Sequence, residues 1–167
     1  NKEGYIFAFF YTDYSFTSLF KFNGTIANDI TLYAKWIKCD SNIVNIELAE
    51  NINTTIQGKT EQLYAFVPLV DGTITVTSKS NNLDLYGILY DASKNILISA
   101  DDISDTDLDF TYTYSVKAGQ LYYVAVKGNT VSTAGQAIIS VDCTCNCTIT
   151  GTTYQNRQFA VAYDTNY

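Results

Sequence analysis

Histidine and methionine are absent from this 167-residue chain, and proline occurs once. Without histidine, Ser-His-Asp and Cys-His catalytic arrangements and every His-ligated metal site are excluded. Because methionine is absent, we expect residue 1 not to be a natural start and the chain to be a mature or excised piece. No apolar run is long enough to cross a bilayer, and no stretch is typical of a signal peptide. We therefore expect no membrane insertion.

Basic residues are also scarce. The chain has 10 Lys and Arg against 17 Asp and Glu, which gives a formal net charge of -7. Nucleic acid requires a basic surface to neutralise its phosphates, so we exclude it as a partner. The acidic balance is compatible with cation binding or with solubility alone.

Long helical periodicity is missing, whereas residues that favour strands are abundant. The chain has 14 Tyr and 9 Phe, and 47% of its residues are hydrophobic. Clusters of Asn, Asp and Ser supply the turns that the few Gly and Pro residues cannot. These features predict an all-β fold. We place strands near residues 63–68, 73–78, 83–90, 96–99, 108–116, 121–127 and 136–141.

The first segment, residues 1–37, alternates aromatic strands with polar turns. It contains EGYIFAFFYTD, then FKFN, then DITLYAKW. This order resembles the internalin-type B repeat, a small β-grasp-like module of bacterial surface proteins. One departure is Phe10, where that family usually has Trp. The resemblance implies a partial B-repeat-like module that lacks its first strand.

The last segment, residues 143–167, joins a Cys-rich linker to a terminal strand. Phe159, Val161 and Tyr163 alternate as in a half-buried strand and resemble the first strand of the same repeat. A module that lacks a strand exposes unpaired backbone groups and must be completed. Three sources stay open: this segment of the same chain, this segment of a neighbouring molecule in a filament, or a repeat in a longer tandem protein.

The middle segment, residues 42–142, has short strands separated by turns such as VDG, SNN, DASKN and KAGQ. An I-x-G step at residues 56–58 is followed by YAFVP, DGTITVT, DLYGILYD and AGQLYYVAVKG. This order resembles the bacterial pre-peptidase C-terminal domain. The predicted architecture is therefore a jelly-roll-like β-sandwich flanked by the partial β-grasp-like surface repeat.

The four cysteines point to disulfides in an exported chain. The CTCNC spacing of the C-terminal three differs from the C-x-x-C spacing of zinc sites, although four thiolates could still hold a metal. A bridge across the ends of the middle segment is our leading interpretation, and the partner of Cys39 stays open. The disulfide candidates are Cys39, Cys143, Cys145 and Cys147.

The stretch DDISDTDLDF, residues 101–110, holds five aspartates. Its spacing begins like an EF-hand loop, but Phe110 stands where Gly is needed and Val116 where the bidentate Glu belongs. A solvated loop that protects a strand edge with charge is the interpretation that the sequence alone favours. Calcium is the candidate cofactor for these carboxylates, and the family resemblance implies that it would bind near the lead-in strand. The candidate ligands are Glu47, Glu50, Asp84, Asp101, Asp102 and Asp105.

No catalytic residues are predicted, because the expected solvent exposure leaves these carboxylates ordinary acids. Phosphate loops and nucleophile elbows are also missing. The first functional hypothesis is an extracellular bacterial surface module that acts as a stalk, adhesin or filament subunit through strand complementation. Its partners would be copies of itself, adjacent surface modules, or a host protein or glycan. The alternative is an accessory domain of a secreted hydrolase that targets collagen or polysaccharide.

Overall fold

The computed structural model describes residues 4–21, 26, 28–38, 43–45, 50–68 and 70–143. Within these ranges the chain forms β-strands, and it contains no helix that is long and apolar enough to cross a membrane. The strands are β1 (Tyr5–Tyr11), β2 (Tyr33–Lys38), β3 (Val44–Asn45), β4 (Asn51–Gln57), β5 (Gln62–Phe66), β6 (Gly72–Ser80), β7 (Leu85–Tyr90), β8 (Ile96–Ala100), β9 (Thr111–Val116), β10 (Tyr122–Gly128) and β11 (Ala134–Cys143).

Strands β3 to β11 form two sheets that pack face to face. The five-stranded sheet has the order β3-β5-β10-β7-β8, and the four-stranded sheet has the order β4-β11-β6-β9. All neighbours are antiparallel except β3 and β5. The predicted all-β class and the β-sandwich are confirmed. The core between the sheets consists of buried apolar and aromatic side chains, among them Ile56, Phe66, Ile74, Val76, Leu85, Leu89, Phe110, Val124, Val126 and Ile139.

The two sheets differ in what covers their outer faces. Strands of the four-stranded sheet alternate between buried and exposed residues, as expected when one face meets water. Strand β10 is buried along nearly its whole length. Its second face is covered by the β1–β2 hairpin, because Ile6 and Ile37 of the hairpin pack with Ala65 and Tyr123 on the outer face of the five-stranded sheet.

The β1–β2 hairpin is an antiparallel pair with an irregular register between Phe7 and Phe10. Phe9, within this irregularity, has a positive φ of 86°, which is unusual for a residue with a side chain. On the face that carries Phe7, the ring of Trp36 lies 5.1 Å from the Phe7 ring, measured between centroids. The rings of Phe9, Phe10 and Trp36 all lie next to the ring of Phe7 at this irregularity.

The predicted strand 108–116 begins later than expected, at Thr111. The reason lies in the bonds at the end of β6, where the Phe110 N–H donates to the Ser78 hydroxyl at 2.9 Å. The Asp109 carboxylate accepts bonds from the Ser78 hydroxyl and from the Ser80 N–H at 3.2 and 3.0 Å. Side-chain hydrogen bonds therefore replace part of the regular backbone ladder, in which the Ser78 N–H still donates to the Phe110 carbonyl oxygen at 3.0 Å. Asp109 is partly buried, because these bonds hold its carboxylate against the end of β6.

Strands β3 and β4 were not predicted. The sequence of β4, NINTTIQ, looks like a polar lead-in, yet all seven residues pair with β11. Ile56 and Thr54 of β4 point into the protein and are buried. The predicted domain limits at 37, 42 and 142 stay predictions.

Candidate functional site

Three aspartates meet at one end of the five-stranded sheet. Asp84 precedes β7, and Asp101 and Asp102 follow β8. Because Gly87 pairs with Ala100 in the antiparallel register of these strands, the start of β7 lies beside the end of β8. One oxygen from each of the three carboxylates lies within 4.8 Å of the other two.

Backbone bonds from neighbouring segments hold this end of the sheet in place. The Leu85 N–H donates to the carbonyl oxygen of Leu108 at 3.0 Å, and the Asn129 N–H donates to that of Asp84 at 2.9 Å. The side-chain amide of Asn129 lies 3.4 Å from both carboxylate oxygens of Asp101. Asn129, from the loop after β10, therefore orients the carboxylate of Asp101 and holds the backbone of Asp84.

The cluster carries negative charge that the described residues do not balance. The described ion pairs, Lys117–Asp71 and Lys127–Glu61, involve other carboxylates. Although Asp102 is exposed, its pKa is raised, first by partial desolvation and then by the charges of Asp101, Asp84, Asp105 and Asp107. Carboxylates brought together without a cation repel one another.

One oxygen of the cluster also lacks a bonding partner. Asp84 Oδ1 is buried, and no described group donates a hydrogen bond to it. A buried acceptor without a donor is costly, and a bound cation is one way to satisfy it. The donor set consists of carboxylate oxygens, which suit Ca²⁺ and Mg²⁺ rather than zinc. Asp84, Asp101 and Asp102 therefore fit a hard divalent cation, with water completing its coordination.

The other predicted ligands lie away from this cluster or outside the described residues. Asp105 is exposed in the same loop and acts on Asp102 through its charge, but it does not belong to the group of three. Glu50 is exposed directly before β4. Glu47 lies outside the described residues. The structure thus brings together three of the six predicted ligands.

The predicted disulfides and the assembly strand fall mostly outside the described residues. Cys143, at the end of β11, is disulfide-bonded. The pairing among the four cysteines stays a prediction. The predicted residues that lie outside the described ranges are Cys39, Cys145, Cys147, Phe159, Val161 and Tyr163.

Two features were not predicted from the sequence: the contact of Asn129 with the aspartate cluster and the structural role of Asp109. Asn129 belongs to the GNT turn, which has no pattern typical of a metal site. Its position depends on the pairing of β10 with β7. This pairing brings Gly128 opposite Leu85 and so places Asn129 beside Asp84.

Several solved structures of other proteins are similar to this chain. The chain is similar to the pre-peptidase C-terminal domain of collagenase from Bacillus anthracis, with a TM-score of 0.50 and 18% identity over 60% of this chain and 94% of that chain. It also matches PliG of Aeromonas hydrophila, a periplasmic inhibitor of g-type lysozyme, with a TM-score of 0.44 and 13% identity over 60% and 96% of the two chains. The Yersinia pseudotuberculosis-derived mitogen matches with a TM-score of 0.44 and 18% identity over 56% and 83%.

No protein-family model and no curated protein sequence matches the chain. At 18% identity, the likeness to the collagenase domain supports the fold alone. The resemblance of residues 1–37 and 157–167 to the internalin-type B repeat stays a prediction.

Proposed function

We propose that this chain is a non-catalytic, Ca²⁺-stabilised binding module of a bacterial protein that is secreted or displayed on the cell surface. The observation that carries the proposal is the convergence of Asp84, Asp101 and Asp102, with one buried oxygen that lacks a donor. The disulfide at Cys143 supports an oxidising, extracellular location.

In this proposal the cation has a structural role. Ca²⁺ would be held by the three carboxylates, and it would supply the positive charge that the described residues lack there. It would join the segment before β7 to the segment after β8, while Asn129 orients Asp101 through its side-chain amide. Binding to the folded state alone stabilises that state, by about 2.7 kcal/mol at a ligand concentration 100 times the Kd.

Thermal unfolding tests this role. We expect Ca²⁺ to raise the Tm by roughly 5 to 10 °C relative to chelator, given that stabilisation and the size of the chain. Asp84→Asn should abolish the rise, because it removes the charge of the buried ligand. Without metal, the same variant should be at least as stable as the natural chain, because it also removes repulsion.

Asp142→Asn is the matched control, since Asp142 is exposed on β11, outside the group of three. This variant should keep the full response to Ca²⁺. A rise that persists in Asp84→Asn, or no rise in the natural chain, would contradict the proposal. Mg²⁺ in place of Ca²⁺ tests the choice of cation, and we expect a smaller rise because Mg²⁺ gives up its water reluctantly.

Assembly by strand complementation is a second candidate function, and the β1–β2 hairpin favours it. Among the described residues this sheet has two strands, and a two-stranded sheet has little stability by itself. Phe7, Phe10 and Trp36, whose rings are neighbours, keep intermediate exposure. A further strand beside the hairpin would cover them, and the predicted strand with Phe159, Val161 and Tyr163 has the alternation to do so.

Light scattering after size-exclusion chromatography tests assembly. If the terminal strand completes a neighbouring molecule, the mass should increase with concentration, and deletion of residues 157–167 should leave monomers at every concentration. Oligomers that survive the deletion would rule this route out. Running the series with Ca²⁺ and with chelator separates assembly from the proposed metal site.

A further inference from the structure

Part of the outer face of the five-stranded sheet lies beside the hairpin. Tyr86, Ile88 and Tyr90 alternate along β7 and point to this face, and Tyr90 packs against the cluster that includes Ile6 of the hairpin. The register places Lys127 opposite Tyr86 on one side and Ser99 opposite Ile88 on the other. Together with Glu61, which precedes β5, these side chains form what we call the tyrosine platform: Glu61, Tyr86, Ile88, Tyr90, Ser99 and Lys127.

Side-chain bonds fix the polar groups of the platform. The Tyr90 hydroxyl lies 3.2 Å from both carboxylate oxygens of Glu61, and Lys127 Nζ donates to Glu61 Oε1 at 3.0 Å. The Tyr86 hydroxyl donates to the Ser99 hydroxyl at 2.9 Å. Lys127 Nζ also lies 5.6 Å from the centre of the Tyr86 ring. These contacts limit ring motion, so a ligand would find the rings already in place.

The platform rests on a rigid base and keeps its upper surface accessible. Ile88 is 3% exposed and Ala125, its neighbour on β10, is fully buried. The two tyrosine rings have intermediate exposure, and the side chains of Lys127 and Glu61 are 26% and 30% exposed. Burial and the Glu61 charge raise the pKa of Tyr90, so its hydroxyl stays protonated. The platform thus offers aromatic faces, a carboxylate, an ammonium group and hydroxyls side by side.

Charge limits what can bind there. The platform carries one cation and one carboxylate and is therefore neutral, whereas the whole chain has a net charge of -7. The field of the chain repels polyanions, and within the platform the charges of Lys127 and Glu61 cancel. A further cation, Lys94, lies 3.6 Å from the centre of the Tyr123 ring, where a cation–π contact holds it beside Tyr90. Sugars combine C–H faces that pack on aromatic rings with hydroxyls that pair with carboxylate and ammonium groups. A neutral sugar matches both the composition and the charge of this surface.

We propose that the tyrosine platform binds a neutral, linear hexose polymer. Pyranose rings pack against Tyr86 and Tyr90, Glu61 accepts sugar hydroxyl protons, and Lys127 donates to sugar oxygens. This inference rests on the proposed function as a binding module and names its ligand class. The platform does not include any residue of the aspartate cluster, so the two sites are tested separately.

Isothermal titration calorimetry with defined oligosaccharides tests the proposal. The probes are the β-1,4- and β-1,3-linked glucose hexamers, with an oligogalacturonate hexamer as the anionic comparison. We expect at least one neutral hexamer to bind and the anionic one to bind at least tenfold more weakly. Titrations in chelator and in Ca²⁺ should give the same affinity, so failure here is distinct from failure of the metal site.

Variants locate the binding surface. Tyr86→Ala should weaken binding at least tenfold, as expected when an anchoring aromatic ring is removed. Tyr14→Ala is the matched control, because Tyr14 is 54% exposed in the loop after β1. If Tyr86→Ala fails to fold, Lys127→Ala carries the same test, with Lys79→Ala on the other sheet as its control.

Any of the following results would overturn the proposal. The first is that no neutral hexamer binds to the natural chain. The second is that platform variants bind as well as their controls, or that the anionic hexamer binds best. The third is that a collagen-like triple-helical peptide binds in place of the hexamers and loses affinity in Tyr86→Ala, which would assign the surface to a protein partner.

Discussion

At the scale of single residues, Gly87 packs closely against Phe110 in the core. A Cβ added at Gly87 would lie 2.4 Å from a ring carbon of Phe110, which is fully buried and stacked on Tyr112. Phe110 cannot move aside freely, because its N–H and carbonyl oxygen are bonded to Ser78. The absence of a side chain at residue 87 therefore makes room for the ring.

The first residue-scale prediction follows from this contact. Gly87→Ala should lower the free energy of unfolding by about 1–3 kcal/mol through overpacking. Phe110→Leu, which shortens the side chain, should remove part of that loss when the two changes are combined. Chemical denaturation of both single variants and the double variant measures the coupling. Additive effects would show that the contact is not tight.

Single residues also show how far the sequence predicted the site. Asp84, Asp101 and Asp102 were among the predicted ligands because clustered carboxylates suit calcium. The sequence does not rank them above Glu50 or Asp105, since the ranking depends on which loops meet. The sequence nevertheless contained a signal for this group of three. Two predicted neighbouring strands form a hairpin, and in a hairpin the residues before the first strand lie beside those after the second.

At the scale of elements, the turn between β7 and β8 is organised by one carboxylate. Asp91 accepts bonds from the Ser93 N–H, the Asn95 N–H and the Asn95 side-chain amide at 2.8 to 2.9 Å. The Asn95 bonds, and then that of Ser93, lower the pKa of Asp91 from its ordinary value of 3.8. The ionised form is therefore the one that stabilises the turn.

The element-scale prediction concerns pH. Since the folded pKa is depressed, the contribution of Asp91 is fully present above the ordinary pKa and is lost as the pH falls through the folded pKa. Asp91→Ala should lower the Tm at neutral pH, and the difference from the natural chain should shrink below about pH 4. Melting curves at neutral and acidic pH check this. A difference that stays constant with pH would mean that Asp91 acts without its charge.

The strands that were predicted correctly are those whose sequences are rich in buried apolar residues. The strands of residues 72–80 and 122–128 were predicted within a few residues because their apolar and β-branched side chains are concentrated there. Strand β4 was missed because its polar residues face water and its pairing with β11 is distant in sequence. The late start of β9 was missed because it depends on bonds from Ser78 and Ser80 to Asp109.

At the scale of the whole molecule, the β1–β2 hairpin explains why one sheet is covered on both faces. The alternation in 1–37 predicts strands, but not the surface on which they pack. Ile6, Ile37, Ala65 and Tyr123 meet only in the folded chain. Tyr86 and Tyr90 of the tyrosine platform keep intermediate exposure on the same face, while the aspartate cluster lies at the end of the sheet where β7 begins and β8 ends. We infer that the molecule separates a stabilising site from a binding surface.

Calorimetric titration of the metal-free chain with Ca²⁺ shows whether the three aspartates bind the cation. We expect one binding event per chain, which is lost in Asp84→Asn and kept in Asp142→Asn. If no heat of binding is observed, or if Asp84→Asn binds Ca²⁺ as the natural chain does, the three aspartates are not a calcium site and the proposed function is wrong in its main feature.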